Sequence, residues 1–399
     1  MSYKLQVYSA QSKVGELIVA NGEKDLVFQY SPEWLINKNN FPLSLSLPFT
    51  PTPYQGKKIT TYFQNLALPR DERSSTSETL LQQLSQECPG ALRFRQRNEI
   101  EGANRGKYSL LNEAFFKRLV ETQQGEGQPV YVNQFGQRTL PIISLGENLY
   151  IAREGSPSMY LLKAASQALS GLLENEYICM TLARDLGLRV GRVKLQKHNR
   201  AKYILIERSD RVFSKEGLTL LHQETVAQSL GVTNVTEKRL CTYKNYFKLI
   251  ENYSSYPARD KTQLLKLIVF NLFIGNTIID GHRISLNISR EGVNLTVFSG
   301  LFSTTIYGAA YQKFKTPLHR VTSLNQITQE VLKEFSQDIH MPYKLVKKEI
   351  ERQSQEIIPA LNQLLKKIHM DPLLDFQTID KIKNTIENNT QFMKTLCAS

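Results

Sequence analysis

Between residue 3 and residue 30 the apolar positions recur in strand fashion. Leu5, Val7 and Tyr8 are followed by Val14 and Leu17, then by Leu26, Phe28 and Tyr30, with Gly15 and Asn21-Gly22 as turn signals. That pattern predicts a small antiparallel sheet. Phe28 to Leu35 reads as a strand entering a short turn that carries the only tryptophan, Trp34. Pro42 to Pro48 reads as an alternating Leu/Ser strand closed by proline. From Arg93 to Gln128 the chain is polar and mixed in charge; Leu110 to Leu119 predicts a short helix, and Gln123 to Gln128 a flexible linker. Strand patterns resume from Val130 to Leu162 and at Tyr203 to Glu207, on either side of a helical stretch, Glu174 to Ala183, that ends at Gly187. Leu264, Leu265, Leu267, Ile268 and Phe270 mark an apolar helix stopped by Gly275-Asn276-Thr277. Two strand-like runs follow, Ile284 to Ile288 and Val293 to Phe298, with Arg290-Glu291-Gly292 as the hairpin turn. Ile327 to Asp338, Tyr343 to Ile368 and Ile379 to Leu396 read as amphipathic helices.

Composition narrows the class. A chain of 399 residues suits two or three packed subdomains, and 41% hydrophobic content supports a substantial core. The net charge of +13 favours anionic partners such as a nucleotide, a nucleic acid or an acidic protein, with a generally basic surface as the alternative. Lys347-Lys348 and Lys366-Lys367 are short pairs, not a basic arm. Cys88, Cys179, Cys241 and Cys397 have no metal-ligand spacing and read as reduced thiols of a cytosolic protein. No apolar signal core opens the sequence and no run reaches the ~18 apolar residues of a membrane span, so the expectation is a soluble, cytoplasmic protein.

The chemistry concentrates between Phe270 and Thr304. A helix, a loop with Asp280 and His282, a hairpin and a second loop is how kinase-like lobes present catalytic and metal-binding groups. This stretch resembles the HipA family of bacterial Ser/Thr kinases. The resemblance continues through Tyr30 to Leu35, Pro42 to Pro48, Phe63 to Pro69, Pro89 to Leu92, Met159 to Lys163, Glu174 to Ala183, Glu207 to Arg211 and Leu221 to Gly231. It implies an α+β, protein-kinase-like fold: an N-terminal β-rich, partner-coupling subdomain (1–98), a linker (99–128), a β-rich small lobe (129–211) and a helical large lobe (212–399). It also implies that Lys163 holds nucleotide phosphates. Glu176 is then either its helix partner or an exposed first-turn acid that complements the helix dipole. Glu207, Ser209 and Asp210 belong to a hinge whose backbone faces adenine, and His222 organises the lobe interface. A HipB-like helix-turn-helix antitoxin or related small protein is the implied partner, with DNA reached only through it and no membrane.

Several family groups are replaced. Aligned on Gln137, the phosphate-binding turn places Val132 at the family's serine and Thr139 at its lysine, leaving Arg138 to supply charge. Phe135 and a single glycine make a poor phosphate cradle, because backbone N–H groups need small neighbours to approach an anion. Without gaps, the catalytic Asp falls at Ile278, the following His at Asp280, the metal-binding Asn at Arg283 and the DFG-like Asp at Gly300. From Gln263 to Gln329 the only acids are Asp280 and Glu291. No metal-ligand set is left for Mg²⁺, while ATP remains compatible with Lys163, Gln137, Arg138, His282 and Arg283. The reading is a pseudokinase acting by protein and nucleotide binding. One alternative is an active kinase toxin that uses Asp280-Gly281-His282 in a register shifted by two residues. Another is a DNA-associated co-repressor subunit working through a HipB-like partner.

Overall fold

The alternating N-terminal residues form the expected antiparallel sheet. In this computed structural model, which describes residues 3–19, 26–66, 77–96, 107–121, 131–132, 135, 137–153, 155–166, 168–198, 201–215, 217–232, 238–368 and 373–398, the strand order is Leu26–Tyr30, Ser12–Val19, Tyr3–Ser9, Leu92–Gln96. Leu5, Val7, Leu17 and Phe28 point into one core with Trp34, Leu43, Leu47 and Phe63. Gly15 departs from the turn expected there. It sits inside Ser12–Val19 opposite Tyr30, where a Cβ would lie 2.2 Å from the Gln29 carbonyl oxygen. It therefore serves a close backbone approach beside the bulge at Val7 and Tyr8. Ala10, at φ 51°, makes the reversal instead.

The Leu/Ser segment is a second departure. Pro42 to Pro48 is a turn, with the Leu47 N–H donating to the Ser44 carbonyl at 3.0 Å. The Ser46 N–H donates to Ser44 Oγ at 3.0 Å, so serine side chains compete for backbone groups that a strand would present to a neighbour. Trp34 lies in the short helix Pro32–Ile36, capped by Ser31 Oγ, and its indole N–H donates to the Phe41 carbonyl at 3.1 Å. The predicted turn Asn21-Gly22, the end of the Phe63 to Pro69 motif (67–69) and the linker run Gln123 to Gln128 lie outside the described residues.

Two compact units divide the chain: Met1–Ala164 with Ile206–Thr236 and Leu286–Gly292, and Ala165–Leu205 with Glu237–Ser285 and Val293–Ser399. Besides the N-terminal sheet, the first unit holds antiparallel strands in the order Tyr160–Ala164, Arg138–Leu145, Asn148–Arg153, Lys107–Leu110. The helix predicted at Leu110 to Leu119 forms as Glu113–Glu121.

The second unit is built around the helix Pro257–Ile274, which packs against Tyr243–Tyr253, Tyr343–Ile368 and Phe376–Ala398. Proline at its first turn and Gly275 at its end, φ 65°, set its limits. A Cβ at Gly275 would sit 2.2 Å from Thr305 Oγ1, so this end admits no other residue without movement. Asp260, wholly buried in the first turn, accepts the Leu295 N–H at 2.8 Å and the Ser254 hydroxyl at 2.7 Å. The three C-terminal helices form as Gln329–Asp338, Tyr343–Ile368 and Phe376–Ala398. Among the described residues no helix is long and apolar enough to cross a membrane.

Candidate functional site

In the first unit, Lys163 sits on the strand Tyr160–Ala164, opposite Thr139. Gln137 is buried, while Asn133, Gln134 and Gly136 of the expected phosphate turn lie outside the described residues. Arg138 Nη1 donates to the Leu119 carbonyl at 2.6 Å, so this guanidinium reaches back to the Glu113–Glu121 helix.

The hinge acid Asp210 is also turned elsewhere. Its carboxylate is 2.8 Å from both Arg208 Nη2 and Arg211 Nη1 and accepts the Gly90 N–H at 2.7 Å. Burial alone would raise its pKa, but the two guanidinium groups hold it well below the usual carboxylate range. Glu87 completes the cluster, 3.1 Å from Arg208 and 2.9 Å from Arg211. Four charged side chains, none more than 8% exposed, thus tie residues 87–90 to residues 208–211. Glu207 ends the strand Ala201–Glu207, and the Ser209 hydroxyl donates to Gln223 Oε1 at 3.2 Å.

Within Leu221 to Gly231, the strand Gln223–Thr225 and His222 before it alternate sides with the two-residue period of a strand, and the helix Val226–Ser229 follows. His222 Nε2 lies 2.9 Å from the Leu43 carbonyl, Glu224 Oε1 accepts the Leu45 N–H at 2.9 Å, and Gln223 between them faces Ser209. The pairing with a carbonyl assigns the N–H to Nε2. Phe41 stacks on the imidazole with ring centroids 4.7 Å apart. Burial pushes the His222 pKa down to about 4 and that of the Glu224 carboxyl up to about 7. His222 therefore binds the Leu43 turn as a neutral side chain.

In the second unit, Glu176 lies on the helix Leu172–Asp185 and is wholly buried, which excludes the exposed first-turn acid. Its neighbour Asn175 exchanges two 2.8 Å hydrogen bonds with the Ser303 backbone. Past Gly275, the Thr277 N–H donates to Thr304 Oγ1 at 2.9 Å and the Thr277 hydroxyl to the Tyr311 carbonyl at 2.8 Å. Ile278 and Ile279 follow, both buried.

Asp280 is buried as well. Its Oδ2 is 2.6 Å from Lys315 Nζ, its Oδ1 accepts the His282 N–H at 3.0 Å, and its carbonyl accepts the Arg283 N–H at 3.0 Å. Burial would raise this pKa, yet the charge of Lys315, aided by His282 and Arg283, lowers it. Lys315 is fixed at a second point, its backbone N–H donating to the Thr277 carbonyl at 2.7 Å. The Tyr246 hydroxyl accepts the Gly281 N–H at 2.8 Å. Arg283 Nη1 stands 3.6 Å from where a Cβ on Gly300 would be, at a backbone φ of 68°.

Asp280, His282 and Arg283 thus share one loop of the second unit, which also holds Glu176; Gln137, Arg138, Lys163, Glu207, Ser209 and Asp210 belong to the first. Lys315, Tyr246, Glu87 and Glu224 were not singled out from the sequence. Glu224 sits in a quoted motif and was open to being found; Lys315, 35 residues beyond Asp280, carried no signal.

A family model described as the HipA N-terminal domain matches residues 5–95, and one described as the HipA-like C-terminal domain matches residues 130–361. A Sinorhizobium fredii protein named "Putative kinase Y4mE" is 24% identical over 397 residues, covering 93% of this chain and 94% of its own. A Shewanella oneidensis protein named "Serine/threonine-protein kinase toxin HipA" is 21% identical over 392 residues, covering 90% and 89%. A chain in the solved complex of Shewanella oneidensis HipA, HipB and operator DNA superposes with a TM-score of 0.83 at 20% identity, covering 99% of this chain and 97% of that one.

Proposed function

This chain belongs to the HipA family, and from that premise we propose that it is a pseudokinase, acting by binding a partner protein and a nucleotide. The observation that carries the reading is the state of Asp280: buried, 2.6 Å from Lys315, with its other oxygen on the His282 N–H. A general base must reach the substrate hydroxyl and take its proton. A buried carboxylate already neutralised by an ammonium group is ill suited to that, and Ile278 has no proton-accepting group at all.

The residues present do not fit the divalent cation that phosphoryl transfer uses in kinases. Mg²⁺ takes oxygen ligands from carboxylates and amides, whereas positions 283 and 300 here carry a guanidinium and a bare Cα. In the first unit Lys163, Gln137, Glu207 and Ser209 are the proposed nucleotide-facing groups; in the second unit, taken by itself, they are Glu176, His282 and Arg283. Arg138 and Asp210 are dropped from that set because their side chains are committed to Leu119 and to the arginine cluster.

The partner is a HipB-like helix-turn-helix protein coupled through the N-terminal segment 1–98, with DNA reached through it and the assembly in the cytoplasm. Support comes from the family model over residues 5–95 and from the fold shared with a chain of the HipA–HipB–DNA complex. The second reading, a working Ser/Thr kinase, rests on the order Asp280-Gly281-His282 and needs Lys315 to release the carboxylate. Labelled ATP with Mg²⁺ or Mn²⁺ separates the two. Background transfer to the protein itself and to protein substrates is expected; stoichiometric incorporation abolished by Lys163→Ala would overturn the reading.

A further inference from the structure

We propose that the second unit holds a polyphosphate directly on side-chain cations, with Arg283 supplying the positive charge that a divalent ion supplies in a working kinase. This rests on the reading above that the Asp280 loop faces the phosphates. Both cationic residues are anchored on Asp280, the Arg283 backbone N–H on its carbonyl at 3.0 Å and the Lys315 ammonium 2.6 Å from its Oδ2. Arg283 Nη1 lies 3.6 Å from the Cβ position of Gly300, so the place where a carboxylate would point contains a guanidinium. Lys315 is fixed at both ends, its N–H on the Thr277 carbonyl at 2.7 Å and its ammonium on Asp280 at 2.6 Å.

Of the cations from Gln263 to Gln329, Arg290 pairs with Glu291 and Arg320 with Glu334, whereas Arg283 and Lys315 are the two anchored on Asp280. The Lys315 side chain is 48% exposed, so its ammonium keeps donors toward solvent while Asp280 holds the group in place. A guanidinium presents paired N–H donors that match two phosphate oxygens, and an ammonium adds a compact point charge. A kinase brings its nucleotide in with a metal ion. Here the ion would compete with Arg283 and Lys315 for the same oxygens, so Mg²⁺ should weaken binding.

Isothermal titration with ATP, ADP and inorganic tripolyphosphate, in EDTA and in Mg²⁺, tests this. Expected is binding of ATP in EDTA, weakened by Mg²⁺, and reduced at least about tenfold by Arg283→Gln and by Lys315→Gln, which each remove a charge-assisted hydrogen bond. Unchanged melting temperatures would show that both variants fold. Gly300→Asp, which places a carboxylate against Arg283, should lower the affinity too. Comparable binding of tripolyphosphate supports recognition of phosphate alone; a preference for ATP supports a nucleotide site that includes these cations. Binding that requires Mg²⁺, or affinity untouched by Arg283→Gln, overturns the inference while leaving the pseudokinase reading in place; no binding at all overturns the nucleotide-binding half of that reading as well. Phosphate transfer in the Mg²⁺ arm overturns that reading instead.

Discussion

Replacing Glu224 with glutamine should make the protein more stable at pH 8 and expose a pH dependence that the wild type hides. The carboxyl is 2% exposed and bonded to the Leu45 N–H and the Ser229 hydroxyl, with Tyr30 and Tyr62 among the groups that sense its charge. Burial raises its pKa from an ordinary 4.5 to about 7, a difference of about 3 kcal/mol at ~1.4 kcal/mol per pH unit. With the folded value the higher one, its contribution is full below pH 4.5, declines through pH 7 and stays lost above it. Glutamine keeps the acceptor oxygen and has no charge to bury, so the variant gains up to about 3 kcal/mol at pH 8 and little at pH 4. His222 acts in the opposite sense. Its pKa is depressed from 6.5 to about 4, so its contribution is present above pH 6.5 and lost as the pH falls toward 4. Between pH 4.5 and 6.5 the two slopes oppose in the wild type; in Glu224→Gln only the histidine slope remains, and stability should fall on acidification. Urea unfolding followed by fluorescence reads this directly, because the only tryptophan, Trp34, packs on Phe41, which stacks on His222. A variant less stable than wild type at pH 8, or with an unchanged pH profile, would refute the reasoning.

Arg211→Met should destabilise the protein by about 3–5 kcal/mol in the same assay, because it leaves two buried acids, Glu87 and Asp210, sharing the single guanidinium of Arg208; a loss below about 1 kcal/mol would place that cluster in solvent. Removing residues 1–98 should give insoluble protein, since Leu43, Leu45 and Gly90 supply partners for His222, Glu224 and Asp210; a soluble, cooperatively melting truncation contradicts this. Asp280→Asn should leave ATP affinity in EDTA unchanged or raise it by up to about fivefold, the value of a partly exposed ion pair, as read by titration; a large loss would mean that Lys315 depends on Asp280 to reach the ligand.

Periodicity made the regular elements legible. The apolar helix ending at Gly275 and the three C-terminal helices lie close to where their spacing puts them. Local side-chain chemistry hid the rest. Ser44 turns an alternating pattern into a tight turn by accepting the Ser46 N–H on its hydroxyl, and Gly15 is needed for a close approach that only the folded sheet creates. The site was legible as a list of missing acids, because Ile278, Arg283 and Gly300 are visible in the sequence. Its electrostatics were legible only in part: Asp210 is held by Arg208 and Arg211 of its own motif, whereas Lys315, the partner of Asp280, lies 35 residues away in no quoted motif.

The most direct test is intact-mass spectrometry of the purified protein before and after incubation with ATP and Mg²⁺, alone and beside its candidate HipB-like partner. The pseudokinase reading predicts that neither mass changes. A phosphate added to either protein, and lost in Asp280→Asn, would contradict it and make Asp280 a catalytic residue.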